Sequence, residues 1–141
     1  MSDAIETYRG VVYPWQCDQM GHMNVMWYTG KFDEATWVLF ARVGITASYL
    51  RDQNRGMAAV RQETSYRKEL MPGDVVLVRS SILEVRPKVL RFLHEMVHAE
   101  TLAVAATSEL TSVHFDRAVR RSCELPPELA KRAAALVRAG R

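Results

Sequence analysis

The chain has few cysteines, no long apolar run and only a small excess of charge. Its two cysteines, Cys17 and Cys123, lack C-x-x-C spacing, which argues against a disulfide scaffold and suits a reducing compartment. No stretch approaches the roughly 20 apolar residues of a membrane span. The first ten residues carry charges and no apolar core of a secretory signal. We therefore expect a cytoplasmic protein with no membrane partner.

The charge balance also limits the kinds of partner. The formal net charge is +3, which is too mild to indicate a nucleic-acid partner. Basic residues are concentrated toward the end of the chain, where a solvated terminal helix accounts for them. They are Arg117, Arg120, Arg121, Lys131, Arg132, Arg138 and Arg141. With 141 residues, 48% of them hydrophobic, the chain can bury one core, and we expect one domain over residues 1–141.

The pattern of apolar residues predicts an α+β domain with one long helix. Apolar positions recur at helical spacing from Val25, with Asn24 as the N-cap and Gly44 as the stop, which predicts a helix of about five turns. A short second helix or irregular segment follows over 45–55. Strands are predicted at 7–17, 57–70, 75–85, 89–99 and 102–115, with a closing helix at about 126–139. The long helix must bury its apolar face against this antiparallel sheet.

The most informative segment is Asp18-Gln19-Met20-Gly21-His22-Met23-Asn24, between the first strand and the long helix. It sets a carboxylate beside a glycine turn and a helix N-terminus, where backbone N–H groups are unpaired and the dipole is positive. Such a place can polarise a carbonyl group. Taken alone, however, an aspartate before a helix most often caps it or shapes the turn.

This segment, with Tyr28, Phe32 and Ala35 after it, resembles the hotdog-fold acyl-CoA thioesterases of the 4-hydroxybenzoyl-CoA thioesterase type. The family pattern is an Asp, a Gly three residues later, commonly His-x-Asn, and a Tyr ten residues after the Asp. This chain fills those positions without a gap, and the later tract Ser65 to Asp74 is similar to the family's strand junction. The resemblance covers nearly the whole chain.

The resemblance implies a sheet wrapped around the long helix, and dimers whose sheets join edge to edge, often paired again into tetramers. It implies an acyl-CoA site between protomers of a homodimer or homotetramer, with no metal and no cofactor. Asp18 would be nucleophile or general base, and the backbone N–H of Val25 would donate to the carbonyl oxygen. His22 could orient substrate or water, or only bond within the turn. Asn24 could touch the thioester besides capping, and Tyr28 could close the acyl pocket or belong to the core.

Basic residues suggest where the nucleotide end of coenzyme A would bind. Arg86, Lys88 and Arg91 flank a turn that relatives commonly use near the phosphates, and Arg67 and Lys68 are second candidates. Arginine and lysine suit phosphate by charge and donor geometry. The alternative for the first three is a solvated hairpin tip.

A second motif, His94-Glu95-Met96-Val97-His98, matches the zinc-binding pattern H-E-x-x-H. That pattern binds zinc only on a helix, where the two histidines lie one turn apart. Here it falls in a predicted strand, with His94 and His98 on the same face. We therefore expect sheet histidines and no metal.

Together these observations predict hydrolysis of an acyl-CoA thioester to a free acid and coenzyme A. The alternatives are a hotdog-fold hydratase or dehydratase, a non-catalytic acyl-CoA-binding module and, last, a zinc hydrolase. The sequence leaves the acyl group open: it could be short, long, aromatic or cationic. A cationic group is included because tryptophan and tyrosine faces can bind a quaternary ammonium group such as that of betaine.

Overall fold

The structure is a computed structural model that describes residues 4–138. The strands are β1 (Ile5–Val11), β2 (Arg55–Tyr66), β3 (Val75–Val85), β4 (Val89–His98), β5 (Val104–Asp116) and β6 (Arg121–Ser122). The helices are α1 (Val25–Arg42), α2 (Ala47–Gln53) and α3 (Pro127–Ala134), and a single 3₁₀ turn spans Pro14–Gln16.

All strand pairs are antiparallel, and the strand order is β1-β3-β4-β5-β2, with β6 beside the end of β5. The sheet curls around α1, so that the core lies between the helix and one face of the sheet. The predicted α+β hotdog architecture is therefore confirmed. Strand β2 is at one edge of the sheet, with Arg55 opposite Asp116 and Tyr66 opposite Ala106.

Helix α1 begins and ends where its capping residues predict. The side chain of Asn24 accepts a hydrogen bond from the N–H of Met26, and Gly44 follows the helix at a φ of 97° that glycine adopts without strain. The buried face of the helix runs from Tyr28 through Phe32 to Phe40. Packing this face against β1, β3 and β4 fixes the helix start beside the loop that carries Asp18.

Several predicted boundaries need correction. Strand β1 ends at Val11 and not at residue 17, because Pro14 begins the 3₁₀ turn. Strand β2 ends at Tyr66 and not at residue 70. Helix α3 ends at Ala134, whereas the predicted helix extended to about residue 139, which lies outside the described residues. The bounds of β3 are as predicted.

The basic residues near the chain end do not share one solvated helix. Arg117 and Arg120 lie in the turn between β5 and β6, Arg121 begins β6, and only Lys131 and Arg132 are on α3. Arg141 lies outside the described residues. None of the helices in the described part of the chain has the length and apolar character that a membrane span needs.

The H-E-x-x-H tract lies on β4, as predicted. His94 is fully buried between Ser80, whose Oγ lies 2.6 Å from Nδ1, and Thr36, whose Oγ1 lies 2.8 Å from Nε2. His98 instead contacts Asp74, with 3.4 Å between Nε2 and Oδ1. The two histidines have separate partners, so the helical zinc geometry is not formed here.

Candidate active site

The loop that carries Asp18 is a tight turn closed by its own backbone. The N–H of Gly21 donates to the carbonyl of Asp18 at 2.9 Å, and the N–H of Asp18 donates to the carbonyl of His22 at 3.2 Å. Gly21 has a φ of 88°, in the left-handed region that favours glycine. The loop is tied to the segment after β2, since the N–H of Met23 donates to the carbonyl of Leu70 at 2.8 Å.

The Asp18 carboxylate is held by two donors. Nδ2 of Asn24 donates to Oδ2 at 2.7 Å, and the N–H of Met20 donates to Oδ1 at 2.9 Å. The hydrogen bond from Asn24, followed by that from Met20, lowers the pKa of Asp18 below its ordinary value. The group is partly exposed and is ionised at neutral pH, as a nucleophile or a base must be.

Asn24 connects this carboxylate to the helix. Its Oδ1 accepts from the N–H of Met26 at 2.8 Å while its Nδ2 donates to Asp18. Val25, the first helical residue, has no acceptor for its N–H among residues 4–138. An ionised carboxylate and a free donor at the positive end of a helix therefore lie within one short segment.

A pocket of about 230 Å³ opens beside this segment. It is lined by His22, Met23, Val25, Tyr28, Tyr66, Arg67, Lys68 and Glu69. Asp18 is not a lining residue, but its N–H is bonded to the carbonyl of His22, which lines the pocket. The pocket thus joins the start of α1 to the segment that follows β2.

Aromatic and ionic contacts shape this pocket. The rings of Tyr28 and Tyr66 meet edge to face with centroids 5.1 Å apart, and the Tyr28 hydroxyl donates to the carbonyl of Lys68 at 3.0 Å. Tyr28 is buried, and this burial raises its pKa. Nε2 of His22 lies 3.2 Å from Oε2 of Glu69. Tyr28 therefore belongs to the core and lines the pocket at once.

The structure does not bring every predicted residue to this place. Arg86, Lys88 and Arg91 lie around the β3–β4 turn, at the other end of β3 from the Asp18 loop, about 35 Å along an 11-residue strand. Arg86 pairs with Glu84 at 2.9 Å, and Arg91 bonds to both Glu84 and Glu109. In one chain only Arg67 and Lys68, of the basic candidates, border the pocket.

Glu69 and Tyr66 line the pocket, although their sequence positions did not predict this. Both belong to the tract whose similarity to the family junction was evident, but no role followed from composition or spacing. Their position beside His22 and Tyr28 depends on the sheet order, which brings residues about 40 apart in sequence together. In the described part of the chain, no group of three or more His, Cys, Asp or Glu side chains could hold a metal ion.

Comparisons with known proteins place this geometry in a family. A betainyl-CoA thioesterase of Pseudomonas aeruginosa is 26% identical over 141 residues, which is all of this chain and 89% of that protein. A hypothetical protein of Staphylococcus aureus, solved in complex with CoA, superposes with a TM-score of 0.88 at 20% identity, covering 94% of this chain and 84% of that one.

A 1,4-dihydroxy-2-naphthoyl-CoA thioesterase of Synechocystis superposes with a TM-score of 0.81 at 17% identity, covering 92% of this chain and 95% of that one. The model of the thioesterase-like superfamily matches residues 12–133, from the end of β1 into α3. The predicted resemblance is confirmed: the chain belongs to the thioesterase-like superfamily and is a hotdog-fold thioesterase.

Proposed function

We propose that the protein hydrolyses an acyl-CoA thioester, with Asp18 as nucleophile or general base and the N–H of Val25 as oxyanion donor. As a base, the carboxylate removes a proton from water while the water oxygen bonds to the thioester carbon. The carbonyl electrons move to oxygen, and the C–S bond then breaks to release a carboxylic acid and the coenzyme A thiol. As a nucleophile, the carboxylate bonds to the thioester carbon and displaces the coenzyme A thiolate, and water then hydrolyses the resulting mixed anhydride to regenerate Asp18 and release the acid.

The observation that carries this proposal is the pair of bonds made by Asn24. One orients the Asp18 carboxylate, and the other fixes the first turn of α1 with the Val25 N–H free. A fixed donor at a helix N-terminus stabilises the negative charge that develops on the carbonyl oxygen. Because Asn24 fixes both groups, neither needs to reorganise during the reaction.

Other pocket residues have supporting roles in this proposal. His22, held by Glu69, orients substrate or water beside the carboxylate. Tyr28 closes the acyl end, and Arg67 meets the CoA phosphates at the pocket rim. Arg86, Lys88 and Arg91 stay predicted phosphate contacts, and they could reach a substrate only across an assembly, given their distance from Asp18.

A dimer through β2 is part of the proposal. Outside its pairing with β5, this 12-residue edge strand has no ladder partner in the described chain, and such an edge favours pairing with another strand. An apolar groove runs beside it between Met26 and Trp37 of α1 and Met57 of β2. Joining two copies would cover both features, and two such dimers could form the expected tetramer.

The acyl group we propose to test first is small and cationic. The P. aeruginosa relative acts on betainyl-CoA by its name. The pocket here offers the rings of Tyr28 and Tyr66 and the carboxylate of Glu69, which attract a quaternary ammonium group. We place the reaction in the cytoplasm, where the free cysteines Cys17 and Cys123 would stay reduced.

The test is release of coenzyme A thiol from betainyl-, aromatic and straight-chain acyl-CoAs. Asp18→Asn should lower kcat by about two orders of magnitude or more, with folding and acyl-CoA affinity retained. Glu34→Gln, the same chemical change at an exposed position further along α1, should leave kcat unchanged. Near-normal turnover by a folded Asp18→Asn protein would refute the assignment. Substrate consumed without thiol release would indicate the hydratase alternative, and binding without turnover a binding module.

A further inference from the structure

The pocket beside Asp18 is too small to enclose an acyl-CoA. Pockets that enclose drug-sized ligands have volumes of about 300–1,000 Å³, and this one has about 230 Å³. Coenzyme A also carries several phosphate charges. In one chain, Arg67 and Lys68 supply the positive charge at the rim, opposed by Glu69. A further binding wall is therefore required.

A larger groove of about 550 Å³ lies at the far end of α1. We name it the α2 groove; it is lined mainly by Trp37, Ala41, Ile45, Leu50, Arg51 and Arg117. Its wall is apolar, and its two charged groups are both arginines. In the described chain, the Arg117 side chain has no carboxylate within 4 Å, because neighbouring Asp116 is paired with Arg55 at 3.0 Å. Among residues 4–138, the carboxylate that pairs with Arg51 is that of the exposed Asp52, and such a surface pair contributes little.

The direction of α1 relative to β2 determines where the α2 groove would lie in a dimer joined through β2. Helix α1 starts beside Tyr66 and passes Met57 further along, so it runs opposite to β2. When a strand pairs with its own copy about a two-fold axis normal to the sheet, the pairing is antiparallel. The Tyr66 end of one β2 then meets the Arg55 end of the other.

The same rotation brings the start of one α1 toward the end of the other. Trp37 lines both the groove beside β2 and the α2 groove, so the two adjoin at this side chain. The α2 groove of one protomer would therefore open toward the pocket of the other, across strands spaced about 4.8 Å apart. In one chain the same two places lie at opposite ends of the helix.

We propose that the α2 groove of one protomer binds the phosphate-bearing half of the acyl-CoA whose thioester lies in the pocket of its partner. Arg51 and Arg117 bind phosphate oxygens, and the apolar wall around Trp37 and Leu50 covers the arm between the phosphates and the sulfur. Arginine is suited to this because its guanidinium forms paired, charge-assisted bonds. This inference rests on the proposed function and on the β2 dimer.

The first experiment compares the two arginines of the α2 groove with two arginines on the other face of the sheet. Arg51→Gln with Arg117→Gln should raise KM for acyl-CoA about tenfold or more, with kcat within about twofold, since binding shared by ground and transition states affects KM. An acyl-pantetheine, which lacks the nucleotide phosphates, should show no change. The matched control is Arg120→Gln with Arg121→Gln, which removes two exposed charges from the other face of the sheet, beside Ala58 and Val60.

A mixed dimer tests whether the groove acts on the partner's substrate. One chain carries Asp18→Asn with both arginines intact, and the other keeps Asp18 but carries Arg51→Gln and Arg117→Gln. If the groove binds the substrate held in the partner's pocket, one of the two sites is intact, and activity with the low wild-type KM reappears. If the groove binds the substrate of its own chain, only high-KM activity remains, which overturns the proposal.

The other outcomes are equally decisive. An unchanged KM in the folded double variant, or an equal rise in the Arg120 and Arg121 control, overturns the groove assignment. A protein that is monomeric at assay concentration and still turns over overturns it as well. If Asp18→Asn alone is fully active, the catalytic proposal has failed, and the KM comparison with acyl-pantetheine still tests the groove.

Discussion

Acidification should destabilise the protein through the buried imidazole of His94. The side chain is fully buried, and this burial lowers its pKa from 6.5 to about 3. Its two ring nitrogens bond to the hydroxyls of Thr36 and Ser80, and the Ser80 hydroxyl also bonds to that of Thr7 at 2.7 Å. Among the described residues no carboxylate pairs with this ring, so a second proton would place an uncompensated charge in the core.

The magnitude follows from proton linkage. The unfolded chain binds a proton on this histidine below about pH 6.5 and the folded chain does not, so the free energy of unfolding falls as the pH is lowered. At about pH 5 the loss is about 2 kcal/mol, and near pH 3 it is about 4 kcal/mol. These are large fractions of the 5–15 kcal/mol that stabilise typical domains.

The assay is denaturant unfolding at about pH 7.5 and about pH 5, at fixed protomer concentration because assembly would shift the midpoint. His94→Gln removes the titrating group. The substitution should lower the free energy of unfolding at neutral pH by about 1–3 kcal/mol, because a buried partner is left unsatisfied. The variant should nevertheless lose less stability on acidification than the wild type. His98→Gln, which makes the same substitution at a less buried position of the strand, is the control for the cost at neutral pH.

His114 contributes to the remaining acid sensitivity, since burial also lowers its pKa. For that reason the expected result for His94→Gln is a smaller fall and not a flat profile. A wild-type free energy of unfolding that is equal at the two pH values would refute the reasoning. So would a fall in His94→Gln as steep as that in the wild type.

Three further outcomes are expected. Asn24→Ala should lower the free energy of unfolding by about 1 kcal/mol through loss of the helix cap. Its kcat should fall as well, because Asp18 loses a donor. An unchanged kcat would show that the orientation of the Asp18 carboxylate by Asn24 is unimportant. Gly44→Ala should be destabilising, since the added Cβ would lie 2.5 Å from Cδ2 of Leu129 at a φ of 97°, and a melting temperature equal to that of the wild type would contradict this. Chelator treatment should leave turnover intact, because the H-E-x-x-H tract is a strand; loss of activity together with one zinc per chain by elemental analysis would overturn the mechanism.

Much of the fold could be predicted because local signals coincide with element ends. The β3 run lies between two proline-containing turns, and Asn24 and Gly44 bracket α1 by capping chemistry. The first strand was predicted too long because its aromatic composition continued past Pro14, where the missing N–H and fixed φ begin a 3₁₀ turn.

The candidate site was predictable only where its residues are neighbours in sequence. Asp18, Asn24 and Val25 lie within one loop and helix start, so spacing alone brings them together. The contact of His22 with Glu69 depends on pairing between distant segments. Likewise, the separation of Arg86 from Asp18 follows from strand direction, which residue composition does not encode.

Under the proposed mechanism, the two hydrogen bonds of Asn24 make folding at the helix start a condition for catalysis. Each time the first turn of α1 frays, the bond from the Met26 amide breaks, and the side chain that steadies Asp18 is freed with it. Deuterium uptake at that single amide would therefore report the fraction of molecules that are momentarily unable to react. Turnover on warming should decline along with this local opening, before the sheet itself melts.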